Sequence, residues 1–136
     1  MSDIPKPGAP SPGAIVWFEI PALDLDRAVR FYTAVFGCAF KREDAPGEMP
    51  GKLAIFDFGE CRGTGGALMQ HPGLVPSSRD GVVIYLAGGP DLAESLGRVE
   101  AAGGSVLLPK MAIGPYGFIA HFRDSEGNRI GLHAMP

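Results

Sequence analysis

Apolar and polar residues alternate most clearly near the end of the chain, between residues 117 and 134. Two alternating runs flank a cluster of turn formers at 124–128, so this segment is predicted to be a strand, a tight turn and a second strand. The alternation places the larger apolar side chains on one face, and Ile119, His121 and His133 on the other. The first face suits a protein core, and the second is where we expect a functional site.

A second pattern, with apolar residues three or four positions apart, predicts a helix that begins after Asp24 and ends near Phe36. Asp24 is a good N-cap, and Gly37 stands where a glycine commonly ends a helix. The buried stripe of this helix is predicted to consist of Leu25, Ala28, Val29, Tyr32 and Phe36.

The remaining pattern predicts an internal repeat. A second helix is predicted to start at Pro90 and to end at Gly103, and a segment rich in proline and serine, 71–80, separates two groups of elements. Each group has the order strand, helix and three strands. Besides the terminal hairpin, the predicted strands are 15–20, 38–42, 52–58, 66–70, 82–86 and 105–108.

This repeat predicts one α+β domain of two βαβββ modules, at 14–70 and 81–134, joined by the linker 71–80. Residues 1–13 contain four prolines and two glycines and are predicted to be a flexible arm. A helix that joins one strand to three later strands should cover one face of a curved mixed sheet. Two such modules side by side would leave a cleft on the other face.

Composition narrows the possible functions. The chain has 136 residues, of which 46% are hydrophobic and 20% charged, as in a globular domain. A net charge of −3 argues against nucleic acid or an anionic membrane as a partner. No apolar run approaches the roughly 20 residues of a membrane span, and no signal peptide is visible, so a cytoplasmic protein is expected. Cys38 and Cys61 lack a metal-binding or redox spacing and are expected to be reduced thiols.

Two motifs carry a family resemblance. The helix DLDRAVRFYTAVFG at 24–37 and the hairpin FRDSEGNRIGLH at 122–133, in the order βαβββ-βαβββ, resemble the vicinal-oxygen-chelate superfamily. That superfamily includes glyoxalase I, bleomycin-resistance proteins, fosfomycin-resistance transferases and extradiol dioxygenases. The opening WFEIP and the terminal hairpin look most similar to bacterial proteins loosely related to lactoylglutathione lyase. The resemblance implies the fold and a small organic ligand, but not one reaction.

The resemblance also implies where a divalent metal would lie. Superfamily enzymes hold it with His, Gln or Glu from the first and last strands of each module, and the matching positions here are Trp17, Val82, Gly131 and Met69 or a neighbour. Tryptophan, valine and glycine side chains cannot ligate a metal. No cofactor is therefore expected, and Zn, Fe, Mn or Ni stays a minority alternative.

Three hypotheses remain for the polar residues of the predicted cleft. Glu19 and His133 could form an acid–base pair that moves a proton beside a bound carbonyl group, as in an isomerase or lyase. Glu19, His121 and His133 could instead form a displaced metal site. The third hypothesis is a hydrogen-bonded cluster with a structural or dimer-interface role.

Trp17 adds a different candidate function. It places a flat apolar surface at a position where relatives have a metal ligand, and could be a stacking wall for a planar molecule. Ile119, His121 and Tyr116, the last on a loop at the expected cleft mouth, are the other candidate ligand contacts. Bleomycin-resistance-type relatives sequester drugs in a metal-free cleft. The sequence thus leaves open an enzyme or a binding protein, and in either case a homodimer is expected.

Overall fold

A computed structural model describes residues 15, 17–57, 59 and 64–136. The arm predicted at 1–13 and Cys61 lie outside these residues. The described elements are β1 (Trp17–Pro21), α1 (Leu25–Phe36), β2 (Ala39–Asp44), β3 (Lys52–Asp57), β4 (Gly65–Gln70), β5 (Tyr85–Ala87), α2 (Leu92–Leu96), β6 (Ser105–Ala112), β7 (Phe118–Arg123) and β8 (Arg129–Ala134). A 3-10 turn, Gly114–Tyr116, precedes β7.

The strands form two mixed sheets with the same topology. Sheet A has the order β1-β4-β3-β2 and sheet B has the order β5-β8-β7-β6. In each sheet the first strand runs parallel to the last, whereas the other neighbours are antiparallel. One helix follows the first strand of each sheet. The predicted α+β fold with two βαβββ units is therefore confirmed.

Helix α1 has the predicted bounds because its ends are capped. The Asp24 side chain accepts a hydrogen bond from the Arg27 amide at 3.1 Å, and Gly37 ends the helix in the left-handed conformation, with φ of 69°. The buried face differs from the predicted stripe, because Phe31 and Val35 are buried whereas Val29 and Phe36 are only partly buried. The prediction missed Phe31 and Val35 because α1 packs against residues of both sheets, so more than one stripe is covered.

Three elements of the second module differ from the prediction in their boundaries. Helix α2 is capped by Asp91, not opened by Pro90, and after Leu96 the chain continues in tighter turns towards Gly103. Strand β6 extends to Ala112, and β5 starts at Tyr85 instead of Val82. The Val82 side chain is 90% exposed, so its apolar character does not reflect burial. No helix in the described part of the chain is both long and apolar enough to cross a membrane.

Both sheets contribute to one hydrophobic core. The rings of Phe31 in α1 and Phe122 in β7 lie 5.8 Å apart between their centroids. Around them the core combines residues of the first module with residues of the second, including Ile20, Leu68, Leu92, Val99, Ala120, Ile130 and Leu132. We call the face of each sheet that lies opposite these core residues its open face. On sheet A that face also has a small apolar cluster of its own, formed by Ala45, Leu53, Ala67 and Met69.

The turn between β7 and β8 joins the two modules through polar contacts. Buried Asp124 accepts hydrogen bonds from the Tyr32 hydroxyl at 2.7 Å, from the Asn128 side chain, and from the Glu126 and Asn128 amides. The Asn128 side chain also donates to the Pro21 carbonyl at 2.8 Å. Burial and the neighbouring carboxylate raise the pKa of Tyr32 well above its ordinary value, so the phenol acts as a donor.

Glu126 provides the second set of contacts in this turn. Its fully buried carboxylate binds the Arg27 guanidinium through two hydrogen bonds, at 2.6 and 2.9 Å, and accepts the Asp24 amide at 2.8 Å. Burial opposes the ionised form, but Arg27, the Asp24 amide and Ser125 outweigh it and hold the pKa of Glu126 below its usual range. An anion at the start of a helix is also favoured by the helix dipole.

We predict that Tyr32→Phe lowers the free energy of unfolding by about 1 to 3 kcal/mol, because it removes a hydrogen bond to a buried carboxylate. Urea denaturation measures the change. Tyr116→Phe is the matched control, since Tyr116 is 71% exposed, and should stay within about 0.5 kcal/mol of the wild type. Equal losses in both variants would contradict the assigned role of the Tyr32–Asp124 hydrogen bond.

Candidate functional site

The predicted alternation in the terminal hairpin is confirmed. Ala120 and Phe122 are fully buried in the core, while Ile119, His121 and His133 lie on the open face of sheet B. Across the strands, Ile119 pairs with His133 and His121 pairs with Gly131. Because β5 and β8 are parallel, Tyr85 lies beside Gly131 in the next strand. The open face therefore brings Tyr85 into the group of candidate residues.

His121 is held between two side chains. Its Nε2 atom lies 2.7 Å from the Tyr85 hydroxyl, and its Nδ1 atom lies 2.9 Å from the Arg129 guanidinium. Arginine only donates, so Nδ1 accepts, and the proton of the neutral ring is on Nε2, which donates to the Tyr85 oxygen. Burial, followed by repulsion from Arg129, lowers the pKa of His121. Neutral imidazole is thus the form that fits this site.

His133 is oriented by the backbone of the 3-10 turn. Its Nε2 atom lies 2.7 Å from the Tyr116 carbonyl oxygen, which can only accept, so Nε2 carries a proton. His133 also borders a cavity of about 710 Å³ that extends along Tyr85, Ala87 and Met135. The Tyr116 side chain is largely exposed, so Tyr116 positions His133 through its main chain.

Trp17 and Glu19 lie on the open face of sheet A. The Trp17 indole N–H points to the Glu19 carboxylate at 3.4 Å, and Trp17 is 44% exposed. Within the described residues, neither side chain forms a hydrogen bond or ion pair with His121 or His133. The structure therefore does not join Glu19 and His133 as an acid–base pair within one chain.

The residues at the superfamily's metal positions do not fit a metal ion. Trp17 and Gly131 offer no donor side chain, and Met69 is buried within the apolar cluster of sheet A. In the described parts of the chain, no three His, Cys, Asp or Glu side chains are grouped closely enough to hold an ion. The displaced site of Glu19, His121 and His133 is accordingly not assembled by one chain.

Aromatic rings lie at two of these positions, since residue 17 is itself a tryptophan and the Tyr85 ring covers residue 131. On β8 a Cβ atom at Gly131 would lie 2.6 Å from the Tyr85 Cε1 atom, so the Tyr85 ring covers the glycine. On β4 a Cβ atom at Gly65 would lie 3.4 Å from the Trp17 ring. Trp17 pairs with Gly65 just as Tyr85 pairs with Gly131. Each module thus has one aromatic residue of its first strand beside a glycine of its last strand.

Sequence reasoning missed Tyr85 and Arg129. The pattern placed β5 at 82–86 and gave no reason to select one residue within it. The repeat contained the missing signal for Tyr85, because Trp17 in the first strand of module one corresponds to Tyr85 in the first strand of module two. The contact of Arg129 with His121 spans eight residues and depends on the pairing of β7 with β8.

A second cavity, of about 640 Å³, lies between the edges of the two sheets. It is bordered by Phe18 and Phe36 of the first module and by Ile84, Leu86 and Tyr85 of the second. Its lining is mainly apolar, as is usual for sites of small organic ligands. Tyr85 therefore borders both this cavity and the cavity beside His133.

Cys38 is not a candidate nucleophile. It is a buried free thiol whose sulfur lies 3.8 Å from the Tyr32 carbonyl oxygen. Burial raises its pKa to about 11, so the reactive thiolate is scarce at neutral pH. The expected reduced state of Cys38 agrees with this free thiol.

Comparison with known proteins identifies relatives with glyoxalase-type names. A family model described as "Bleomycin resistance protein-like N-terminal" matches residues 14–48. A glyoxylase-like domain-containing protein of Didymella fabae is 29% identical and covers 91% of this chain and 95% of its own length. Mycobacterium tuberculosis CFP32, whose name suggests a glyoxylase, is 25% identical over 95% of this chain. The chain spans about half, 48%, of that relative's length.

Solved structures share the fold. A variant of glyoxalase I from Zea mays superposes with a TM-score of 0.67 at 21% identity, over 87% of this chain and 45% of that one. A glyoxylase/bleomycin resistance protein/dioxygenase domain from Frankia also has a TM-score of 0.67, at 18% identity, over 91% and 98% of the two chains. TnmS3, an antibiotic binding protein from Streptomyces, has a TM-score of 0.61 at 24% identity, over 91% and 97%.

We predict that Arg129→Met raises the pKa of His121, because the repulsion between the guanidinium and the imidazolium is removed while burial remains. In the wild type, the midpoint should lie below the ordinary histidine value of about 6.5. Histidine NMR signals followed through a pH titration measure both midpoints, with the signals of His71 and His133 as internal references. Identical His121 midpoints in the two proteins would contradict the contact.

Proposed function

We propose that the chain, which has the fold of the vicinal-oxygen-chelate superfamily and sequence relatives with glyoxylase-type names, binds a planar small organic molecule without a metal ion. The observation that carries this proposal is the pair of aromatic residues beside glycines. Trp17 over Gly65 and Tyr85 over Gly131 present ring surface where a superfamily enzyme would present ligating side chains.

Two further observations support binding. Trp17 and Tyr85 are 44% and 48% exposed, so their rings are accessible for stacking, and Tyr85 borders two cavities. TnmS3, which has the same fold over nearly its whole length, is an antibiotic binding protein. By this analogy, sequestration of an antibiotic-like molecule is the biological role that we propose for the site.

An isomerase or lyase is the second candidate function. It is favoured by the fixed orientation of His133, a residue that borders a cavity and whose Nδ1 atom makes no hydrogen bond to the described residues. That nitrogen could accept a proton from a carbon beside a carbonyl group. The glyoxylase-type names of the sequence relatives point in the same direction. Glu19 could take part only if another copy of the chain supplied it, because one chain does not bring it to His133.

A homodimer would meet that condition. The open faces of both sheets lie opposite the shared core, and a second copy could place the Trp17 face of one chain against the His133 face of its partner. Sedimentation velocity at micromolar concentration would detect the dimer, and a monomer at all concentrations would reject it.

We predict that planar polycyclic aromatic compounds quench the fluorescence of Trp17, the single tryptophan of the chain, and bind equally well with and without chelator. Trp17→Leu should weaken binding about tenfold in calorimetric titrations, because stacking area is lost.

The matched control for this experiment is Val75→Ala, which truncates an apolar residue that is 75% exposed and borders neither of the cavities beside Tyr85. It should bind like the wild type. The proposal fails if no compound of the panel quenches Trp17, or if the chelator abolishes binding.

If the protein is an enzyme, it should exchange the hydrogen beside the carbonyl group of a small aldehyde or ketone for deuterium. His133→Ala would then slow the exchange by about 10² to 10⁴, and Glu19→Gln would slow it as well. NMR follows the exchange in deuterated water, with His71→Ala as the control for loss of a histidine in the linker. Unchanged exchange in both site variants would remove Glu19 and His133 from the mechanism.

A further inference from the structure

The Tyr85 hydroxyl is an unused hydrogen-bond donor. Its oxygen accepts the Nε2–H group of His121, because Arg129 has already fixed that tautomer. The hydroxyl hydrogen is therefore not needed in this chain of hydrogen bonds, and no described residue accepts it. A donor that is held in place by its hydrogen bond to His121, on a residue that is 48% exposed, is suited to a ligand oxygen.

The charge around this donor is positive and uncompensated. Arg129 is fixed by hydrogen bonds from its Nε atom to the Ser78 carbonyl, at 3.2 Å, and from its terminal nitrogen to His121. Arg123 is its direct partner across β7 and β8, so two cations are paired in register. Among the described residues, no carboxylate lies within ion-pair distance of either arginine. In a chain with a net charge of −3, this local positive region favours an anion.

Gly131 determines where the donor lies. A Cβ atom at this position would overlap the Tyr85 ring, so only glycine allows the ring to pack onto β8 at its distance from His121. The ring and the imidazole meet edge to face, with centroids 5.3 Å apart. Tyr85 also borders the two cavities described above, so the residue that carries the hydroxyl lies beside space for an apolar ligand body.

We infer that the open face of sheet B binds an ionised oxygen of the ligand, such as a carboxylate or phenolate, through the Tyr85 hydroxyl and the positive charge of Arg129. His121 is a positioning residue, because its two ring nitrogens are hydrogen-bonded to the Tyr85 hydroxyl and to the Arg129 guanidinium. This inference rests on the proposed binding of a planar molecule and deepens it: the ligand is a planar organic acid. The apolar body packs on the aromatic rings, and the acidic group faces Tyr85 and Arg129.

Two probes with the same planar body test the inference: 2-naphthoate, which is anionic, and 2-naphthamide, which is neutral. Calorimetric titration of the full chain should give at least about tenfold tighter binding of the naphthoate, as expected for a hydrogen bond to a charged group. Tyr85→Phe and Arg129→Met should each reduce this ratio to about one to three. Gly131→Ala, which moves the Tyr85 ring but keeps the hydroxyl, should reduce it as well.

The ratio of the two affinities separates recognition from general damage, because a loosened fold weakens both probes together. Arg30→Gln, which removes an exposed cation on α1, is the charge control and should keep the wild-type ratio. Circular dichroism melting checks that each variant is folded.

The outcomes distinguish this inference from the proposed function. Equal binding of both probes by the wild type would overturn the inference and leave planar-ligand binding intact. A preference for the naphthoate that survives in Tyr85→Phe and Arg129→Met would also overturn it, because the anion would then bind elsewhere. If neither probe binds, the proposed function fails and the inference falls with it. A preference that disappears in both variants but not in Arg30→Gln would support it.

Discussion

The contact between the β7–β8 turn and the start of α1 is the constraint on which the arrangement of the two modules depends. Four polar donors converge on the buried Asp124 carboxylate, and one of them is Tyr32 of the other module. Glu126 binds the Arg27 guanidinium and the backbone amide of Asp24, the N-cap residue of α1. These groups could not be buried singly without a large desolvation penalty, so they are stable only as a complete set.

The position of the candidate site follows from this contact between the two modules. Since α1 lies between core residues of both sheets, the shared core uses one face of each sheet, and the polar residues are left on the opposite faces. Trp17 and Glu19 thus belong to one surface, and Tyr85, His121 and His133 to another. Within the described residues no hydrogen bond joins the two groups, and a ligand on sheet B alone would contact only the second of them.

Local chemistry explains which features could be predicted from the sequence. The bounds of α1 follow from its capping residues, and the faces of the terminal hairpin follow from the two-residue period, so both were predictable without long-range information. The exposed residues Val82 and Val83 resembled part of a strand, because apolar composition alone does not show whether a segment pairs with another strand. Burial of Phe31 and the role of Tyr85 depend on contacts across the modules and on strand register, which one sequence does not specify.

The Tyr85–Gly131 contact has an evolutionary consequence. In a relative with a metal ligand at residue 131, that side chain would need the volume that the tyrosine ring occupies here. Reacquiring the ligand by a single substitution would therefore create a steric overlap before it created an ion site. A smaller residue at position 85 would have to appear first. The order of the two changes is therefore constrained, since a ligand at position 131 depends on which residue stands at position 85.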